Sequence, residues 1–104
     1  MNIKIEEKAK QSLDIIKSKY KSDLKNIIES LKLLWQNWLK TSGIKNIWDN
    51  IYRKRVWRWR ILFTINKKEL IIWFIKIEKD TKKDYKLWKN YIIKKIRETN
   101  SLKK

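Results

Sequence analysis

The chain has 104 residues with 28 Lys+Arg against 11 Asp+Glu, giving a net charge of +17, and 42% of its residues are apolar. That apolar share is too high for a charged disordered tail and is enough for one small core. Without Cys or His, the sequence excludes a disulfide scaffold, a thiolate nucleophile, a Cys/His zinc site and a His general base. The longest apolar run, Leu70 to Ile75, is far short of the ~20 residues that span a bilayer, and Met1 to Glu7 has no apolar signal core. The expectation is a soluble cytoplasmic domain (an organellar matrix is the alternative) with no membrane partner. Its charge points to a polyanion.

In chain order, Ile3-Lys4-Ile5 reads as a short strand, followed by Glu6-Glu7 where a helix dipole favours acidic residues. Ala9, Leu13, Ile16, Tyr20, Leu24, Ile27, Leu31, Leu34 and Trp38 recur at steps of three or four, the stripe of an amphipathic helix. Ser22-Asp23 offers an N-cap, which divides the stripe into two antiparallel helices at about 7–19 and 23–40. One long coiled-coil helix is the alternative. The lone glycine, Gly43, marks the clearest break.

Beyond Gly43 the period changes to two. Trp57, Trp59, Ile61, Phe63 and Ile65 alternate with Arg58, Arg60 and Thr64, so both Trp are expected in the core and both Arg on a ligand-facing side. Leu70 to Ile77 reads as an interior strand, and Thr81-Lys82-Lys83-Asp84 opens a helix carrying Tyr85, Trp88, Ile92 and Ile96 on one face. Trp35, Trp38 and Trp48 are expected beneath the helical hairpin, and Trp73 and Trp88 between the central strand and the last helix. The architecture is then α+β: a small antiparallel sheet with an N-terminal helical hairpin on one face and a C-terminal helix, forming a single domain over 1–104.

Four of the five Arg fall in the eight residues Arg53 to Arg60, interleaved with Trp. Arg forks phosphate and aromatic rings stack unpaired bases, so this segment is the candidate nucleic-acid site. The scattered Asp and Glu have no metal-ligand spacing, and no metal or cofactor is expected.

Three segments resemble the RelE/ParE toxin superfamily: Met1 to Ile16 as strand into helix, Arg58-Trp59-Arg60-Ile61-Leu62-Phe63-Thr64-Ile65 as its aromatic-Arg strand, and Ile75 to Tyr85 as closing strand, basic cluster and Tyr. The resemblance implies a RelE-like fold and a toxin paired with an acidic antitoxin, either a ribosome-associated, metal-independent endoribonuclease or a ParE-like gyrase inhibitor. By the same resemblance, Arg60, Tyr85 and Lys82 would be catalytic, and Arg53, Lys54, Arg55, Arg58, Lys79 and Lys83 would hold the RNA. The sequence departs from the pattern in having no His, Trp59 for the usual Tyr, and Asp80 where a basic residue is common. A non-catalytic nucleic-acid-binding protein, structural in a ribosome or a viral or organellar particle, remains the alternative.

Overall fold

A computed structural model describes residues 2–66, 68–77 and 82–102, the side chains of 82–85 and 99–102 excepted. The elements are β1 (Asn2–Ile5), α1 (Glu7–Lys19), α2 (Lys21–Asn37), a 3-10 turn (Trp38–Lys40), β2 (Ile44–Trp48), β3 (Ile51–Val56), β4 (Trp59–Asn66), β5 (Glu69–Ile77) and α3 (Lys82–Leu102). The strands form one sheet in the order β1-β5-β4-β3-β2. Four of them run antiparallel in sequence, and β1 joins the edge parallel to β5, which makes the sheet mixed.

The expected stripe forms the helical hairpin. Ala9, Ile16, Ile27, Leu31 and Leu34 are buried against Trp59, Ile61, Phe63, Leu70, Ile72 and Ile75 of the sheet. The two helices meet at a single residue, Tyr20, whose φ of −133° and ψ of 51° break the helix. The backbone N–H of Asp23 donates to Tyr20 O at 2.9 Å, so α2 starts at Lys21. Ser22-Asp23 therefore supplies no cap; Tyr20 holds that position without a side-chain bond.

Odd residues of β4 face this hairpin, while Leu62 belongs to a second core on the opposite face with Ile51, Trp73, Phe74 and Ile92. A bulge makes that second core possible. Leu62 pairs with Phe74 and Phe63 with Ile72, leaving Trp73 as an extra residue in β5. A bulge lets consecutive residues share a face, so Trp73 and Phe74 both pack under α3. Trp73 Nε1 donates to Thr64 Oγ1 at 3.0 Å, which satisfies the buried indole. Trp88 stacks on Phe74 and Tyr91 meets it edge-on. Helix α3 thus covers the apolar part of this face.

Two strands, β2 and β3, were not among the sequence expectations. Gly43 stands just before β2 with φ +76°, and a Cβ there would lie 3.2 Å from Lys54 Nζ and 3.3 Å from Arg55 O. No other residue type fits that approach without strain.

Candidate nucleic-acid interface

The pairing register assembles the site. Arg55 lies opposite Arg60 across β3 and β4, and Arg60 lies opposite Lys76 across β4 and β5. One row of three strands therefore carries three cations. In the next row of that face, Lys45 pairs with Arg53 and Arg53 with Leu62. Directly opposed residues project to the same side of a sheet, and like charges so placed repel. A polyanion laid along the rows would relieve that repulsion.

These cations differ in exposure. Lys45, Arg55 and Lys76 are exposed, Arg53 is half-buried, and Arg60 is 9% exposed. Arg53 Nε is buried without a hydrogen-bond partner, which costs stability at this position. Arg60, seated between Arg55 and Lys76, is the most buried of the group.

Other expected site residues stand elsewhere. Lys54, on the alternate side of β3 from Arg53 and Arg55, points toward the helical hairpin. It is 8% exposed and its Nζ donates to Ser42 O. Burial penalises its charge and pulls its pKa below the usual 10.5. Lys54 is a structural lysine, because a one-residue step along a strand reverses the face.

Arg58 is likewise not on the cationic face. Val56 pairs with Trp59, so Trp57 and Arg58 form a two-residue hairpin turn where a continuous strand was expected. The Arg58 guanidinium donates to Asp23 Oδ2 through Nε at 3.1 Å and Nη2 at 2.8 Å, and lies 5.0 Å over the Tyr20 ring. Trp57 is turned out rather than into the core, at 78% exposed and φ 56°. Trp59 is buried as expected. Trp38 packs on Tyr52 and Phe63, whereas Trp35 and Trp48 keep substantial exposure.

Lys79 falls outside the described residues. Lys82, Lys83 and Tyr85 belong to the first turn of α3, and their side chains lie outside the described part. Lys45 and Lys76 join the face without having been singled out from sequence. The one clue was Lys76, which interrupts the apolar run of β5. Among the described residues, no group of three His, Cys, Asp or Glu could hold a metal, and no helix is long and apolar enough to cross a membrane.

No protein-family model matches the sequence, and no curated relative matches it. Solved structures do. A chain of the YoeB-YefM complex from Staphylococcus aureus superposes with a TM-score of 0.64 at 21% identity, over 75% of this chain and 97% of that one. The YoeB/ParE toxin from Agrobacterium tumefaciens gives 0.67 at 7% identity, over 75% and 99%. A chain of the archaeal RelE-RelB complex from Pyrococcus horikoshii OT3 gives 0.61 at 17% identity, over 77% and 97%. The chain therefore shares the overall fold of these YoeB, ParE and RelE toxin structures.

Proposed function

We propose that the chain is the toxin of a toxin–antitoxin pair and acts as a ribosome-associated, metal-independent endoribonuclease. The observation that carries the reading is the row Arg55–Arg60–Lys76 on the α3 side of the sheet, with Arg53 and Lys45 beside it. Cleaving RNA through its own 2′-hydroxyl moves that oxygen onto the adjacent phosphorus and expels the 5′-oxygen. The pentavalent phosphate between these steps concentrates negative charge, and preorganised cations lower its energy. Arg60, held by its surroundings, takes the phosphate. Arg53, Arg55, Lys45 and Lys76 hold the strand on either side. Lys82 and Tyr85 are assigned the proton transfers, from the 2′-hydroxyl and to the 5′-oxygen, and Lys79 and Lys83 further backbone contacts.

The solved relatives include complexes with YefM and RelB, which supports an antitoxin partner for this chain. With a net charge of +17, that partner is expected to be acidic and to cover the cationic rows.

The test is to express the chain and map RNA ends on translating ribosomes. The expected result is new 5′-hydroxyl ends within mRNA, reduced ~10²-fold or more by Arg60→Ala. Intact mRNA, or equal cleavage by that variant, contradicts the catalytic role. RNA binding without cleavage then favours the non-catalytic reading, and inhibited supercoiling without RNA ends favours a gyrase target.

A further inference from the structure

The tip of the β3–β4 hairpin breaks two local rules at once. Two-residue hairpins place φ > 0 at a central position and favour Gly, Asn or Asp there. Here that position holds Trp57 at φ 56°, the largest side chain in a conformation that side chains resist. The indole then gains nothing from burial, being 78% exposed. Strain retained at an exposed aromatic marks a contact made with something else.

Beside Trp57 opens a cleft of about 250 Å³ whose lining includes Asn26, Glu29 and Ser30 of α2 together with Arg55. Arg55 is also a member of the cationic row on the other face of the sheet, so cleft and row meet at the end of β3 through this one residue. Arg55 and Trp57 are two residues apart, at most ~7 Å of chain, so a strand held at Arg55 passes close to the indole.

We propose that Trp57 is the stacking platform for one unpaired nucleobase, whose polar edge is read in the adjoining cleft by Asn26 and Glu29. This assignment rests on the RNA reading above. Stacking is indifferent to base identity because every base has a π-face. The cleft adds discrimination: the Glu29 carboxylate accepts from an exocyclic amino group, which adenine and cytosine have and uracil lacks. The Asn26 amide can both donate and accept at the same edge.

Fluorescence anisotropy with labelled oligoribonucleotides of eight A, eight C or eight U, and with an abasic strand of equal length, tests this. The wild type is expected to bind the A strand about tenfold more tightly than the abasic strand. Trp57→Gly should erase that difference without lowering the melting temperature, since glycine accepts the positive φ. It should also leave the salt dependence unchanged, because no phosphate contact is lost. Trp57→Phe should keep most of the difference. Glu29→Leu, which leaves no acceptor at the edge, should abolish the preference for A and C over U. A Trp57→Gly protein that still separates A from abasic strands overturns the platform, and an unchanged base preference in Glu29→Leu overturns the edge reading. A wild type that binds none of the strands overturns the RNA reading and this assignment with it.

Discussion

A single carboxylate oxygen, Asp23 Oδ2, accepts from Arg58 Nε and Nη2 and from Trp59 Nε1, the last at 3.0 Å. Through it the turn of the helical hairpin is tied to the turn of the β-hairpin. Tyr20 completes the junction, edge-on to Trp59 with ring centroids 5.4 Å apart. The Trp59 indole bond first, and Arg58 second, hold the Asp23 carboxyl below its usual 3.8. A carboxyl with a lowered folded-state pKa stabilises fully above its unfolded value and loses that contribution as pH falls through the folded one. Asp23→Asn should therefore lower the melting temperature at neutral pH, and the gap from wild type should close toward pH 3. An equal gap at both pH values would contradict the role of the charge. None of this was legible in sequence. Arg55-Val56-Trp57-Arg58-Trp59 contains no Gly, Asn or Asp, so nothing announced a turn, and alternation carried through Trp57 and Arg58 put both on the wrong side.

At the scale of elements, β4 organises the molecule because it faces a core on each side. Its odd residues meet α1 and α2, and Leu62 and Thr64 lie on the side covered by α3. The period of two announced this strand, and the period of three to four announced the helices, since both belong to half-buried elements. Strands β2 and β3 lacked such a signal. β2 carries an irregularity between Asn46 and Trp48, and β3 has cations on both faces, Lys54 on one and Arg53 and Arg55 on the other. Phe63 lies at the centre of the helical-hairpin core, fully buried, stacked on Tyr52 and edge-on to Trp38. Phe63→Ala should cost about 3–5 kcal/mol in chemical denaturation, leaving little of a small domain's stability. A loss below about 1 kcal/mol would mean that this core is not where the fold is held.

For the whole molecule, charge and coverage divide the sheet. One face is closed by α1 and α2; the other is closed by α3 over its apolar part and carries Lys45, Arg53, Arg55, Arg60 and Lys76 beyond it. Net charge and the Arg cluster made a polyanion partner readable from composition. Which cations share a surface was not, because register decides it: Lys76 and Lys45 come in from strands far along the chain, while Lys54, adjacent in sequence, is turned away. The surface claim has a direct quantitative signature in counterion release. For single-stranded RNA the slope of log K against log salt is about −0.7 per phosphate contact. Measured across a salt series, Arg55→Ala/Lys76→Ala should flatten that slope by about 1.4, while Lys54→Met should leave it unchanged. Equal slopes for the wild type and the double variant, or a flattening caused by Lys54→Met instead, would contradict the placement of RNA on these rows.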